Sequence, residues 1–405
     1  MGEEMEMKER HPFKRSGLRR GIIIAVGLSA SALVIISLLS IKRETFAAIS
    51  HASPFFFILA AVLSLGRWFW SVMRTRILLT ATRKKIPFRD LVKIVYAGYF
   101  TGLITPLRAG GVSGEAFFLY EYGLEAGESV AVVGFSAAVS TILLLLTFPI
   151  AIALGGRYIN LSFTIRSILF TALAFGLAFL FLVLLALLRP QLAIDVKLLE
   201  HSPPFLAKRE WYLRFLKRLA AETNTFAQSV RDILKLGWKK LSGVVLFTAL
   251  FWLFGFLAVP TALVGLGYSS YFWKAILAQM VVQALLPFIP TPGGSGVGEV
   301  GFLYVYGSIL PNTGIAALLT LIWRFLDFYL GLLVGGICFM IVMKDVNNNP
   351  RSKRLERAGQ GENRSKGVLE TQEDGEKLKR GTDLEVLIES MGGCAPCFDY
   401  WQSAR

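Results

Sequence analysis

Long uncharged stretches constrain the fold of this chain more than any other feature of its sequence. Residues Gly21–Ile41 contain no Asp, Glu, Lys or Arg, and a helix needs about 20 apolar residues to cross a bilayer. Five largely apolar stretches of similar length follow, at Pro54–Leu79, Ser129–Leu154, Ser162–Leu188, Leu241–Gly265 and Gly314–Met343. The sequence therefore predicts an all-α polytopic membrane protein with six transmembrane helices.

The amino-acid composition excludes several other protein classes. Hydrophobic residues make up 54% of the chain and charged residues 18%, whereas soluble proteins carry about 25% charged residues. Three cysteines are too few for a disulfide framework, and three widely separated histidines argue against a His-based metal site. We therefore expect no metal and no cofactor. We interpret the net charge of +15 as a signal of membrane orientation rather than of nucleic-acid binding.

Lysine and arginine residues are concentrated in the predicted connections, at residues 1–20, Thr82–Lys93, Arg189–Lys240 and the tail 344–405. Cytoplasmic loops are enriched in these residues, so these segments and both termini are predicted to be cytoplasmic. Apolar residues recur at helical spacing within residues 189–240. This pattern predicts a basic amphipathic helix, either on the headgroup surface or packed on the cytoplasmic ends of the spans. The polar tail predicts disorder.

Two further apolar segments, residues 91–123 and 272–310, are interrupted in the middle. The interruptions are rich in proline and glycine, at Thr105–Gly114 and Pro290–Gly296. Proline removes a helical hydrogen bond and glycine tolerates left-handed backbone, so both stretches must break a helix. At membrane depth such backbone is stable only inside protein or beside a water-filled cavity. The sequence therefore predicts two re-entrant hairpins.

The two interrupted hairpins are related by sequence. A shift of 184 positions without a gap pairs Pro106 with Pro290 and gives nine identities over residues 106–123, where average composition predicts about one. The duplicated halves lie within residues 21–188 and 241–343, and the predicted sides of their connections orient them oppositely. Inverted repeats with discontinuous helices are typical of transporters. Alternatively, the glycines serve only close packing in a membrane protein of another kind.

The interruptions also predict an anion site. We expect one helix to begin near Ser113 and another near Ser295. The first N–H groups of each helix would lack an intrahelical partner and carry the positive end of the helix dipole, which favours binding of an anion. Arg108 adds a full positive charge, and a phosphate or carboxylate headgroup suits such a site. The predicted substrate-binding residues are Thr105, Arg108, Gly110, Gly111, Ser113, Gly114, Glu115, Thr291, Gly293, Gly294, Ser295, Gly298, Glu299, Arg324 and Asp327.

Four of these charged residues have more than one interpretation. Glu115 and Glu299 each satisfy the N-terminus of their own helix, pair with a cation such as Arg108, or become protonated and couple transport to a proton. Arg324 and Asp327 lie three residues apart and so share a helical face. They are expected to form an internal ion pair or to contact the substrate.

Three more polar residues lie within apolar segments. Arg67 is expected either to extend to the membrane interface or to contact the ligand. Gln279 and Gln283, four residues apart, either line the same cavity or join neighbouring helices. The sequence contains no nucleotide-binding or hydrolase motif of the Walker A, GxSxG or HExxH type, so nothing indicates ATP-driven transport or hydrolysis.

A family resemblance is carried by two pairs of motifs, Leu103–Pro106 with Gly110–Glu115 and Leu286–Gly294 with Gly298–Glu299. With them, and with Arg324 in the last span, residues 21–343 resemble the lysylphosphatidylglycerol synthase transmembrane-region family, also called flippase-like. The resemblance implies a multi-pass protein in the cytoplasmic membrane of a bacterium or archaeon. It also implies a role in flipping or carrying polar lipids.

The sequence departs from the aminoacylating members of this family in two respects. Those members carry a large soluble transferase domain after the membrane part, whereas about sixty polar residues follow Met343 here, too few for such a domain. The first motif begins with Thr105 and Pro106, where the family more often has an Asn-Pro start. We therefore do not expect lysyl transfer by this chain alone.

The sequence as a whole predicts a lipid translocator in which an anionic headgroup binds between the two hairpin tips. Two alternatives stay open. One is a membrane-embedded transferase or accessory subunit in phosphatidylglycerol or lipid-linked glycan metabolism, and the other is a carrier of a small anion. The expected partners are membrane lipids, either an anionic phospholipid or a lipid-linked substrate, together with a separate transferase, and no nucleic acid.

Overall fold

The fold is helical throughout the part of the chain that the computed structural model describes, namely residues 52–82, 84–158 and 210–348 with scattered positions in 23–50 and 167–185. No strand occurs within these residues. The helices are α1 (Pro54–Leu78), α2 (Phe88–Leu103), α3 (Ala109–Glu121), α4 (Ala126–Tyr158), α5 (Glu210–Leu234), α6 (Trp238–Gly265), α7 (Phe272–Leu285), α8 (Val297–Gly307), α9 (Thr313–Arg324) and α10 (Leu330–Asn348).

Four helical segments are long and apolar enough to cross a membrane: Pro54–Ala81, Ala126–Thr147, Trp238–Gly265 and Thr313–Asn348. They correspond to four of the six predicted crossings. The other two predicted crossings, residues 21–41 and 162–188, lie largely outside the described residues. The basic N-terminus 1–20 and the polar tail from residue 349 onward lie outside them as well.

Helices α2 and α3 form the first hairpin, and glycines bring the two helices close together. Gly98 and Gly102 on α2 face α3, where a Cβ added at Gly102 would lie 3.2 Å from the Cα of Gly111. Small residues four positions apart are a standard interface between membrane helices. Of the glycines in the first interruption, Gly111 therefore serves close packing between the two arms.

Helices α7 and α8 form the second hairpin, and a tyrosine joins its two arms. The Tyr306 hydroxyl lies 3.0 Å from the carbonyl oxygen of Ala275 and 3.0 Å from Oε1 of Gln279. Gln279 is therefore used to join the arms of the hairpin. Between the arms, the chain makes two short 3₁₀ turns, at Leu286–Phe288 and Pro292–Gly294.

The tips of the two hairpins contain the same turn. Leu107 has φ 55° and ψ 13°, and Gly293 has φ 61° and ψ 12°; each follows a Thr-Pro pair. Both are left-handed conformations, which L-residues other than glycine rarely adopt. In structure, Pro106 thus corresponds to Pro292, a shift of 186, so the gap-free pairing of Pro106 with Pro290 is wrong at the turn. The first copy has two additional residues between its turn and Glu115.

Helix α5 accounts for the amphipathic segment predicted within residues 189–240. It packs against the beginning of α4, where the backbone N–H of Gly127 donates to Oε2 of Glu222 at 2.8 Å. Phe226 and Val230 of α5 pack with Ala131 of α4. These contacts support the alternative in which the segment packs on the ends of the spans.

Candidate functional site

The tips of the two hairpins contact each other. The closest approach is at Gly293, where an added Cβ would lie 2.9 Å from the carbonyl oxygen of Leu103 at the end of α2. Phe328 closes the other side of the same glycine. Only glycine combines a positive φ with such crowding, so the second tip requires glycine at this position in order to meet the first.

Asp327 holds the first tip to two other elements. Its Oδ1 accepts a hydrogen bond from Nη1 of Arg67 at 2.7 Å, and its Oδ2 accepts one from Nη2 of Arg108 at 3.0 Å. Asp327 and Arg67 are both buried. Asp327 lies in a π-helical turn, Phe325–Tyr329, between α9 and α10, and π-helical turns are frequent at functional sites. The prediction that Arg67 extends to the interface is wrong.

Arg324 forms a second, separate ion pair. Its Nη2 lies 2.6 Å from Oε2 of Glu299, and neither side chain is exposed. Arg324 also donates to the carbonyl oxygens of Gly293 at 3.0 Å and Gly294 at 2.8 Å. A Cβ added at Gly298 would lie 2.8 Å from Nη2 of Arg324, so this glycine leaves room for the guanidinium. The predicted ion pair between Arg324 and Asp327 is therefore wrong, because each has its own partner.

Glu299 has a further partner in the predicted first crossing. The Ser29 hydroxyl donates to Oε1 of Glu299 at 2.7 Å, and the Tyr329 hydroxyl lies 3.3 Å from Ser29 Oγ. Of the three interpretations of Glu299, the structure supports pairing with a cation, although the cation is Arg324 rather than Arg108. Its carboxylate thus ties α8 to α9 and to residue 29.

The beginning of α3 differs from the prediction. This helix starts at Ala109, so Ser113 lies within it and donates its hydroxyl to the carbonyl of Ala109 at 3.1 Å. The N–H of Gly110, a predicted substrate-binding residue in the first turn of this helix, donates to Oγ1 of Thr105 at 2.8 Å. Glu115 lies in the second turn of α3 and accepts a hydrogen bond from Thr75 at 3.2 Å. The interpretation in which Glu115 satisfies the N-terminus of its own helix is therefore wrong.

A cavity of about 270 Å³ adjoins the first hairpin. Three arginines, Arg67, Arg74 and Arg108, and one carboxylate, Glu115, line it. Its other walls are mostly apolar or aromatic, among them Tyr99, Leu103, Phe251, Trp252 and Leu286. Ligand sites typically combine apolar walls with a few convergent polar groups. This arrangement can bind a small anionic group.

The sequence as a whole matches one family. The model of the lysylphosphatidylglycerol synthase TM region matches residues 22–335. The chain belongs to this family. It is also 27% identical over 327 residues to a UPF0104 membrane protein of Archaeoglobus fulgidus, an alignment that covers 78% of this chain and 94% of the archaeal protein. The resemblance expected from the two motifs is confirmed, and the protein is an integral membrane protein related to a prokaryotic one.

The family match includes every predicted site residue, but only some of them line the cavity. Arg108, Gly111 and Glu115 do, together with Arg67 and Gln283. The remaining candidates lie elsewhere: Thr105, Gly110, Ser113, Gly114, Thr291, Gly293, Gly294, Ser295, Gly298, Glu299, Arg324 and Asp327. The candidates that line the cavity therefore all belong to the first hairpin, whereas the second hairpin contributes other residues to its wall, among them Gln283 and Leu286.

Three of these remaining candidates, Gly114, Thr291 and Ser295, differ in their surroundings. Gly114 makes room for Thr101, whose hydroxyl donates to the carbonyl of Gly110 at 2.6 Å. The hydroxyls of Thr291 and Ser295 are buried and have no hydrogen-bond partner within the described part of the chain. No group of three potential metal ligands occurs among the described residues.

Arg74 is the cavity residue that sequence reasoning missed. It follows Arg67 by seven residues, or about two helical turns, so the two arginines share a face of α1. The sequence signal for Arg74 was a second arginine on the same face of an apolar helix. Arg74 lies near the end of the predicted span, however, where basic residues commonly flank a transmembrane helix. Its Nη2 donates to Oγ of Ser71 at 3.0 Å, and the side chain is buried.

Proposed function

We propose that this protein is a lipid translocator whose arginine-lined cavity receives the anionic headgroup of a membrane lipid. The observation that carries the proposal is the convergence of Arg67, Arg74 and Arg108 on one cavity. Charged side chains within membrane helices are costly and commonly mark a substrate pathway. The membership in a lipid-related membrane family supports the same role.

The charge balance of the cavity supports an anionic substrate. Arg67 and Arg108 share the single carboxylate of Asp327, and Arg74 faces the same cavity as Glu115. Three guanidinium groups therefore meet two carboxylates, which leaves one positive charge in excess when all five groups are ionised. A buried charge without a partner is strongly unfavourable, so an incoming oxyanion would remove this cost.

The proposal includes an inverted arrangement in the membrane. The chain would cross the bilayer six times with both termini in the cytoplasm, and the two hairpins would enter from opposite faces. The shared left-handed turn at Leu107 and Gly293 and the contact between the two tips support this arrangement. Inverted repeats with discontinuous helices place the substrate site near the bilayer midplane.

The path of the headgroup follows from the contacts of Arg108. The Arg108 side chain is about one quarter exposed, whereas that of Arg67 is buried. Arg108 also lies on a hairpin tip, and Arg67 does not. A phosphate entering the cavity would compete with Asp327 for Arg108 and so loosen the first tip from the last helix. The acyl chains would stay in the bilayer, while Glu115, Glu299, Arg324 and Asp327 would control the opening.

A reconstituted-vesicle assay with headgroup-labelled lipids tests this function. The wild-type protein is expected to move labelled lipid between leaflets, and Arg108→Ala is expected to slow the movement at least tenfold. Arg76→Ala is the matched control, because Arg76 is exposed on the same α1 that carries Arg67. Movement that is equally fast in the Arg108→Ala variant would remove the cavity from the mechanism.

The same vesicles separate the alternatives. A covalently altered lipid would favour the membrane-embedded transferase, which would use the carboxylates as acid and base. Release of a trapped small anion without lipid movement would favour the anion carrier. Either result would overturn lipid translocation as the function of this cavity.

A further inference from the structure

Arg74 is a buried cation with unused hydrogen-bond donors. Its relative exposure is 6%, and its Nε and Nη1 have no hydrogen-bond partner within the described residues. Its remaining nitrogen, Nη2, donates to the neutral hydroxyl of Ser71. Arg74 forms none of the ion pairs that join described residues. Buried donors without a partner are costly, particularly on a charged group.

The other two arginines of the cavity are in a different state. Arg67 donates to Asp327 at 2.7 Å and Arg108 donates to the same carboxylate at 3.0 Å. A ligand that binds Nη1 of Arg67 or Nη2 of Arg108 must compete with Asp327, although Nε of each arginine has no partner within the described residues. Arg74 requires no such exchange, because its side chain lines the cavity and its Nε and Nη1 have no hydrogen-bond partner within the described residues. Its guanidinium is positioned by Ser71, one turn earlier on α1, and by the ring of Phe251 at 5.8 Å.

We propose that Arg74 is the primary contact for a phosphate group in the cavity. This inference rests on the proposed function and names the headgroup chemistry and the residue that selects it. A phosphate presents several acceptor oxygens around one centre, so it can bind Arg74 and also reach the other two guanidiniums. A carboxylate has only two oxygens, whereas the phosphodiester of a lipid headgroup has two charged oxygens and two ester oxygens around the phosphorus. The phosphate would bind Arg74 first and then displace Asp327 from Arg67 and Arg108.

Equilibrium binding to the purified full-length protein in a phosphate-free, uncharged detergent tests this assignment. The probe is a fluorescent short-chain phosphatidylglycerol. Arg74→Gln is expected to weaken its binding at least tenfold, and Arg74→Lys is expected to fall between this variant and the wild type because a lysine keeps the charge but not the fork. Arg76→Gln, on the exposed face of the same helix, is expected to bind within twofold of the wild type. Undiminished binding by Arg74→Gln would overturn the proposal.

A competition arm identifies the source of the phosphate. Inorganic phosphate and glycerol phosphate are added to the bound fluorescent lipid. Weak competition by both supports a lipid headgroup, since the apolar walls then contribute to the affinity. Competition by inorganic phosphate at the same concentrations as the lipid would overturn the lipid as the bound species.

Two further measurements keep the proposal falsifiable. If Arg74→Gln fails to fold, Ser71→Ala takes its place, because it retains the charge and removes the hydrogen bond that orients the guanidinium within the described part of the chain. Wild-type affinity in Ser71→Ala and in Arg74→Lys together would overturn the proposal. The vesicle assay is run in parallel. Binding that depends on Arg74 without lipid movement would overturn the proposed function alone, and lipid movement unaffected by Arg74→Gln would overturn the inference alone.

Discussion

Arg324 and Asp327 stand three residues apart on the last crossing helix, yet their side chains belong to two different ion pairs. Arg324 binds Glu299 and the carbonyls of the second hairpin tip, whereas Asp327 binds Arg67 and the first tip. The π-helical turn that begins after Arg324 separates them. The last helix therefore contacts both hairpin tips through two neighbouring charged groups that have different ion-pair partners.

Asn in place of Asp327 is expected to destabilise the protein strongly. The substitution leaves two guanidiniums without a counter-charge, and breaking a buried ion pair costs about 3–5 kcal/mol. Asp345→Asn is the control, because that side chain is 42% exposed and its ion pair with Lys93 is long, at 3.5 Å. The control is expected to lose less than about 1 kcal/mol. Unfolding in detergent micelles measures both, and equal losses would contradict the role assigned to Asp327.

Alanine at Gly298 is expected to lower stability by about 1–3 kcal/mol, the usual cost of overpacking a filled site. The added Cβ would lie 2.8 Å from Nη2 of Arg324 and would displace it from Glu299. Gly301→Ala on the same helix meets nothing within 4 Å. It is expected to be neutral or to stabilise α8 by up to about 1 kcal/mol, because alanine favours helix over glycine. The same unfolding measurement compares the two variants, and a neutral Gly298→Ala would show that Arg324 has room to move.

Valine at Thr105 is expected to cost about 1–2 kcal/mol. The hydroxyl accepts from the Gly110 N–H and donates to the carbonyl of Thr101, each at 2.8 Å, so its loss leaves the start of α3 without its cap. Ser113→Ala removes a hydroxyl that is exposed and bonds only within its own helix. It is expected to change stability by less than about 0.5 kcal/mol. A larger loss of stability in Ser113→Ala than in Thr105→Val would contradict the role assigned to the Thr105 hydroxyl.

Single cysteines test the inverted arrangement. In a background without the native cysteines, Glu125→Cys after the first hairpin and Thr313→Cys after the second are both at exposed positions. A membrane-impermeant thiol reagent is expected to label the second from outside the cell and the first only after the membrane is opened. Labelling of both from the same side would contradict the inverted arrangement while leaving the cavity unaffected.

Much of the helical organisation could be predicted from the sequence. Length and apolarity identified the crossings at Pro54–Leu79 and Leu241–Gly265, and proline with glycine identified both hairpin breaks. These features depend on local chemistry, which the sequence displays directly. The family relationship was predictable for the same reason, because its motifs are contiguous.

The partners of the charged residues could not be predicted. Helical spacing places Arg324 and Asp327 on one face, but it carries no information about Glu299 or Arg67, which approach from other elements. A π-helical turn also alters that spacing without a sequence signal. The predicted register of the hairpin turns was wrong for a related reason. More of the identical residues lie in the helices after the turns than in the turns themselves. The shift with the most identities therefore aligns the helices correctly and pairs Pro106 with the wrong proline.

The contacts of Arg324 make the two halves of the repeat mechanically unequal. The second tip is held to the last helix by two hydrogen bonds to its carbonyl groups and by a fully buried ion pair. The first tip is held by the partly exposed ion pair between Arg108 and Asp327. If both tips were attached in the same way, either hairpin could move. The proposed function therefore predicts that the first tip moves while the second stays in place, and that the cavity accepts its ligand more easily from one side of the membrane than from the other.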